Sequence, residues 1–470
     1  MSLPKPDELT RALSQFVADL ELDALDADTL EATKKLVLDV LGAGIAGRDA
    51  EAVTEMRAMI EDIGGKPEAG IFGATRRVPA HSAAMINGSA CRALEIDDVH
   101  ETAVNHVSAS VVPATIAAVQ AAGRVVSGAE FITAVAAGME VAVRMSLAAR
   151  PLDAWDTAEA RRGMSTTYQV GVFSAAVAAA KIWKMPAAQM IHVFGFAYSG
   201  ASGNQQGTYD GAQVIRLQQG LSSGAGVFAA RLARAGLTAA TRPLEGEAGY
   251  YNLYWGGRCD RNHILDDLGS RFHIAGISIK PYPCCKCIHN SMTAADLIRQ
   301  EAPFLANEIA RVEVVVPSRE YYYTVSHPQD RKQRPVNLVE SQFSLPYAVA
   351  LTLARGLPSL PTYHAGLSDP DVMGLATRVE SVLREGETIP APATVTVEFH
   401  DRPAITKQVS LSLGHPDLPM SWSQVEEKFS QVVAFGERPL SASMRDQIAH
   451  GVAVVESLAD VDRQLLAALA

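Results

Sequence analysis

Cysteine is scarce in this chain: five in 470 residues, three of them (Cys284, Cys285 and Cys287) within four positions. That excludes a disulfide scaffold and points to a reducing compartment. Aromatic residues make up only 6%, so alanine and the aliphatic residues must carry the packing. Positive charge is in deficit, with 41 Lys and Arg against 52 Asp and Glu and a formal charge of −11. No dense Lys/Arg stripe offsets this, so no nucleic-acid partner is expected. Met1 to Leu20 carries Asp7, Glu8 and Asp19 with no unbroken apolar run, unlike a signal peptide. The longest apolar stretches are interrupted by Glu140 and Lys181, short of the ~20 residues of a membrane span. A fixed-period repeat and low-complexity tracts are also missing. A soluble, cytoplasmic protein with no membrane partner is the expectation.

What is present is a large apolar inventory, 48% of the residues, enough for a sizeable core. Leu9, Leu13, Phe16, Val17 and Leu20 mark one apolar helical face, and Leu30, Val37, Val40, Leu41 and Gly44 another. Ser127 with Glu130 three residues later is a capping-box signature, opening an alanine-rich helix from Phe131 to Ala149. Segments 170–182, 187–199 and 222–236 share that character, and no strand alternation appears in this half. The pattern changes near residue 275. Arg311 to Val316 is β-branched and stops at Pro317, as a strand would. Val395, Val397 and Phe399 alternate, Asp401-Arg402-Pro403 intervenes, and Val409, Leu411 and Leu413 alternate again, which reads as a hairpin. Helical patterns lie at about 343–355 and 367–385, and 424–470 returns to helix. The fold class is therefore mainly α: a large all-α domain over 1–274, completed by 411–470, and a smaller α+β domain at 275–410.

Four clusters carry chemistry-bearing residues. The first is Glu95-Ile96-Asp97-Asp98-Val99-His100 followed by His106-Val107-Ser108, two stretches that put three carboxylates and two imidazoles between alanine-rich helices. Carboxylates within reach of an imidazole would orient it for proton transfer. The second, Arg161-Arg162-Gly163-Met164-Ser165-Thr166-Thr167, heads a helix and could bind an anion through hydroxyls and backbone N–H groups, or simply cap the helix. The third, Gly200 to Asn204 with Gly207 and Arg216, lacks the GK[ST] of a phosphate loop; its glycines suit close helix packing, with Arg216 as an anion clamp. The fourth is Lys280-Pro281-Tyr282-Pro283-Cys284-Cys285-Lys286-Cys287-Ile288-His289. Its thiols suggest zinc, but no second C-x-x-C completes a tetrahedral set and adjacent cysteines chelate one ion poorly. No metal is expected there; Lys280 is expected to point its charge into an interdomain cleft.

Taken in order, these stretches resemble the MmgE/PrpD superfamily, which includes 2-methylcitrate dehydratase, cis-aconitate decarboxylase and iminodisuccinate epimerase. The resemblance rests on Asp97 to Pro113, the helix start at Gly163, Leu244-Glu245-Gly246, and Lys280 to Cys285 with His289. Glu340 to Tyr347 and Pro419-Met420 with Lys428-Phe429 extend it over nearly the whole chain. It implies a helical and an α+β domain with the site between them, no metal or organic cofactor, and a homodimer. It implies His106 as the acid–base histidine, Asp97 or Asp98 as the site aspartate, and Lys280 as the cleft lysine. Ser165 stands where dehydratase- and decarboxylase-type members carry histidine, and Arg216 where they carry an anion-binding lysine.

The shared chemistry is proton transfer at the carbon beside a carboxylate, which needs cations around that carboxylate. Arg216 and Lys280, with Ser165, Thr166 and His289, would bind a small di- or tricarboxylate. His106, or His100 in reserve, would move the proton. The expected activity is a cofactor-independent lyase, a dehydratase or decarboxylase. The alternatives are an epimerase or isomerase of a similar polycarboxylate, and a non-catalytic carboxylate-binding relative.

Overall fold

The computed structural model describes residues 7–149, 163–316, 318–384 and 392–469; Arg161, Arg162 and Pro317 lie outside them. Its first half is built of helices, among them Ala27–Gly47, Ala80–Arg92, Ser108–Gln120, Gly128–Ala149, Thr166–Ile182, Ala187–Gly200 and Val214–Arg234. The expected capping box forms: Ser127 N donates to Glu130 Oε2 at 3.0 Å and Glu130 N to Ser127 Oγ at 3.2 Å.

Small residues let these helices approach closely. A Cβ on Gly220 of Val214–Arg234 would stand 2.1 Å from the Met85 carbonyl oxygen of Ala80–Arg92. Any larger residue there would push those two helices apart. Helix Gly128–Ala149 has the length and apolar composition of a membrane span, contrary to the sequence expectation, but 94% of its most apolar window is buried inside the protein. Its buried acid, Glu140, is paired within the helix, where Arg144 Nε donates to Glu140 Oε1 at 2.7 Å.

One strand pair escaped the sequence reading of this half. β1 (Ala69–Ile71) and β2 (Ala74–Val78) form a short antiparallel ribbon. It is too brief, and its centre too charged at Arg76 and Arg77, to show alternation.

The second sheet has the order β4-β3-β5-β6, with β3 at Ile309–Val316, β4 at Val379–Leu383, β5 at Ala393–Phe399 and β6 at Ile405–Val409. β5 and β6 make the expected hairpin, pairing Val395 with Lys407, while Leu411 and Leu413 fall beyond it. The helical pattern expected over 367–385 is overturned at its end: the helix Pro370–Ala376 stops, and β4 pairs in parallel with β3, Val312 beside Val379. Parallel pairing with a distant strand overrides local periodicity here. Helices His289–Glu301 and Leu345–Arg355 pack on this part.

Buried apolar side chains fall into two large clusters. One draws on residues from Leu9 to Ile279 and from Met420 to Leu469, the other on Cys284 to Val409. The chain thus crosses from one core to the other within a few residues of Lys280, and the candidate site lies at that crossing.

Candidate active site

The loop after Ala80–Arg92 carries the acidic run, and three separate elements hold it. Glu95 turns the chain with φ +56°. Val99 and Ser278 exchange backbone hydrogen bonds, N to O, at 3.0 and 2.8 Å, bringing the segment before Lys280 alongside. Ile279 N donates to the Gly414 carbonyl at 3.0 Å. Gly414 has φ +87°, and a Cβ there would stand 1.9 Å from the Ile279 carbonyl oxygen, so only glycine fits. From the C-terminal helix Trp422–Val433, Lys428 pairs with Asp39 and donates to the Ile96 carbonyl at 2.9 Å.

These constraints assemble a buried charge cluster. Lys280 Nζ lies 2.9 Å from Glu95 Oε1 and 3.6 Å from Asp97 Oδ1. Arg92 pairs with Glu95 and reaches Asp97 Oδ1 at 3.1 Å. His106 Nδ1 stands 3.1 Å from Asp97 Oδ2. Burial raises the Asp97 carboxyl, but Arg92, His106 and Lys280 outweigh it and hold the group far below the usual carboxylate range. An ionised Asp97 only accepts, so Nδ1 of His106 carries the proton and Nε2 is left with a lone pair. Burial and the Arg92 charge, outweighing Asp97, pull the His106 pKa below its ordinary value, so the imidazole is neutral at pH 7.

His106 lines a cavity of about 100 Å³ whose wall is shared between the two cores. From the helical side come Arg92, Ser165, Thr167 and Tyr168; from the other come Cys285, Lys286, Glu320 and Tyr321. Ser165 sits at the N-cap of Thr166–Ile182 without making a side-chain capping bond. Tyr168 is hydrogen-bonded to Arg92, and burial raises its phenol to about 12.

The other residues singled out by sequence are placed differently. Asp98 accepts from the backbone N–H of Val107 and Ser108 at 3.1–3.3 Å, holding the start of Ser108–Gln120. Burial and the neighbouring Asp97 push it up to about 7. Thr166 gives its hydroxyl to the Val104 carbonyl at 2.6 Å. The Nδ1 of His100 accepts from Ala103 N at 3.2 Å, and burial with His273 lowers its pKa to about 4. His289 is buried against Tyr282, with ring centroids 5.1 Å apart, and its Nε2 meets the Cys284 carbonyl. Neither His100 nor His289 lines the cavity. Lys280, expected to project into a cleft, is fully buried behind Glu95 and Asp97. Arg216, expected as the anion clamp, turns instead to Glu51, 3.4 Å from its Oε2, and leaves the cavity wall to Arg92.

Sequence reasoning missed Arg92, Tyr168 and Glu320 as cavity residues. Only Arg92 left a trace, an arginine three residues before Glu95 at the end of an alanine-rich helix. Glu95, Asp97 and His106 also bring three potential metal-ligand atoms within 4.8 Å of one another. Arg92 and Lys280 already neutralise both carboxylates, and a dication there would sit beside two fixed cations, so this donor set does not suit one.

The model of the MmgE/PrpD N-terminal domain matches residues 11–261 and that of the MmgE/PrpD C-terminal domain matches residues 282–449. The cis-aconitate decarboxylase-like protein oryM of Aspergillus oryzae is 24% identical over 474 residues, covering 97% of this chain and 96% of its own. The cis-aconitate decarboxylase of Aspergillus terreus is 26% identical over 464 residues, 93% of this chain and 90% of its own. The human cis-aconitate decarboxylase is 24% identical over 440 residues, 90% of this chain and 87% of its own.

Proposed function

The chain belongs to the MmgE/PrpD family, and from that premise we propose that it is a lyase of the dehydratase or decarboxylase type. Its substrate is a small di- or tricarboxylate, and its chemistry is proton transfer at the carbon beside a carboxylate. The observation that carries this reading is the pair His106–Asp97, with Nδ1 and Oδ2 3.1 Å apart, at the edge of a cavity that Arg92 also lines.

Asp97 fixes the tautomer and orientation of His106, so Nε2 is the atom that takes or returns the substrate proton. A carbon beside a carboxylate is weakly acidic until the charge growing on that carboxylate is neutralised. Arg92 and Lys286 on the wall supply positive charge for it, and the hydroxyl of Ser165 supplies a hydrogen bond. Lys280 acts from behind: it helps keep Asp97 ionised and so keeps the imidazole aligned. The two cores meet at the cavity, so a bound acid is gripped from both sides and shielded from water. The relatives named as cis-aconitate decarboxylases support this class of substrate, while 24–26% identity and Ser165 leave the individual acid to experiment.

The purified protein is incubated in deuterated water with cis-aconitate and a panel of hydroxylated di- and tricarboxylates, followed by NMR. Loss of carbon dioxide or water from one of them is the expected result, with kcat lowered about 10²–10⁴-fold by His106→Ala. Undiminished turnover by His106→Ala would refute the assignment. Deuterium entering the α-carbon of a substrate that loses neither group would make the protein an epimerase instead.

A further inference from the structure

Glu320 has no part in the chemistry above, yet it lines the same cavity as His106. It lies in the first turn of the helix Arg319–Val325, which Ser318 caps directly after β3. This places it on the second core's side of the cavity, whereas His106 comes from the first. The residue is 6% exposed and its Oε2 is buried without a hydrogen-bond partner. No ion pair among the described residues includes it. A buried carboxylate left so would carry an uncompensated charge, which proteins avoid by neutralising the group. Burial, and then the Cys285 thiol, push its pKa up to about 8. Other titratable or charged groups on the shared cavity are Cys287, Lys286, Glu101, Tyr168, Tyr321, Arg92 and His106. One wall therefore presents a neutral base and the other a carboxylic acid with an O–H to donate.

We propose that Glu320 is the general acid of this site, delivering its proton to the group that leaves the substrate carbon adjacent to the one His106 deprotonates. The inference rests on the proposed lyase reading and sharpens it toward elimination from a β-hydroxy acid. In the step, His106 Nε2 takes the α-hydrogen, the C–H electron pair is held as an enolate on the neighbouring carboxylate, and that pair then becomes the new carbon–carbon π bond. The C–O bond breaks with its electron pair going to oxygen, which takes the Glu320 proton and departs as water. Glu320 is left as carboxylate and His106 as imidazolium, and both return to their starting forms by exchange with solvent. No oxidant or co-reactant is needed.

The test compares the whole protein with Glu320→Gln, which keeps size and hydrogen bonding but has no proton to give, and with Glu320→Asp. Three rates are measured on β-hydroxy di- and tricarboxylates in deuterated water: water elimination, α-deuterium exchange into remaining substrate, and fluoride elimination from the β-fluoro analogue. Glu320→Gln is expected to slow water elimination at least 100-fold while exchange and fluoride loss stay within about 3-fold, because fluoride departs without protonation. Glu320→Asp is expected to recover part of the elimination, and the alkaline fall of kcat in the parent to disappear in Glu320→Gln. Water elimination by Glu320→Gln within about 3-fold of the parent would overturn the proposal, as would equal loss of all three rates, the mark of a merely structural role. A parent that decarboxylates its substrate but eliminates nothing would overturn it while leaving the lyase reading intact. A parent inert in all three assays and toward cis-aconitate would overturn both.

Discussion

The two walls of the cavity each bury a carboxyl group and treat it in opposite ways. Asp97 is fully buried but meets Arg92, His106 and Lys280, and it stays ionised through any ordinary pH. Glu320, almost as buried, has no such partner, and its acid form persists to about pH 8. Residue type does not separate them; the Arg92 and Lys280 cations beside Asp97 do. One environment orients an imidazole as a base and the other stores a proton, which is the division of labour a proton-transfer site needs.

Removing a cation from the first wall should break this comparison with the largest effect. Arg92→Met leaves Glu95 and Asp97 with Lys280 as their remaining strong cation. Breaking a buried pair in this way costs about 3–5 kcal/mol. Urea unfolding at pH 7 should register that loss, together with a collapse of activity as His106 loses its alignment. A cost under 1 kcal/mol would mean that the cluster is solvated rather than dry. At pH 4, where Glu320 is protonated in the folded and largely so in the unfolded chain, Glu320→Gln replaces one neutral group by another and should change stability by less than about 1 kcal/mol.

A smaller effect separates the walls by pH. Glu320 has a folded pKa above its unfolded value, so the native state holds a proton that the unfolded chain releases. Stability from that group is complete below pH ~4.5 and is lost as pH rises to about 8. Asp97 has the reverse sign: its contribution is present above pH ~3.8 and is lost as pH falls toward its depressed folded pKa. Other groups titrate over the same range, Asp98 with the sign of Glu320 and His100 with the opposite sign. The difference between the parent and Glu320→Gln isolates one carboxyl. Thermal melts from pH 4 to 9 should show the parent losing ground to the variant between pH 5 and 8. Parallel curves would place Glu320 in water.

The same contrast explains what could be read from sequence. Helix periodicity, the Ser127–Glu130 capping box and the β5–β6 hairpin are local patterns, and they formed as local rules dictate. The meeting of Asp97, His106 and Lys280 was legible because short motifs marked all three. β4 was not, because Val379 to Leu383 becomes a strand only when β3 arrives beside it. Glu320 was invisible for a related reason: nothing in Arg319-Glu320-Tyr321 announces burial, and the proton it holds depends on a cavity made by both cores. Arg92 and Arg216 show the limit most plainly, since choosing which arginine faces the cavity requires knowing how Ala80–Arg92 and Val214–Arg234 pack.

That choice gives the smallest expected effect. Arg216 is 5% exposed, and its NH1 is within 3.4 Å of both the carbonyl and a carboxylate oxygen of Glu51, which is itself largely in solvent. A half-solvated pair of this kind contributes about 1 kcal/mol or less. Because the guanidinium turns away from the cavity, Arg216→Ala should leave KM for a polycarboxylate within about 3-fold of the parent. Arg92→Lys should raise KM by tenfold or more, since a lysine keeps the charge but loses the fork that serves Glu95, Asp97 and the cavity together. If Arg216→Ala raised KM more than Arg92→Lys, substrate binding would have to swing Arg216 away from Glu51. Beside Arg92 and Lys286, the site would then have a further cation that ligand recruits rather than one the fold holds in place.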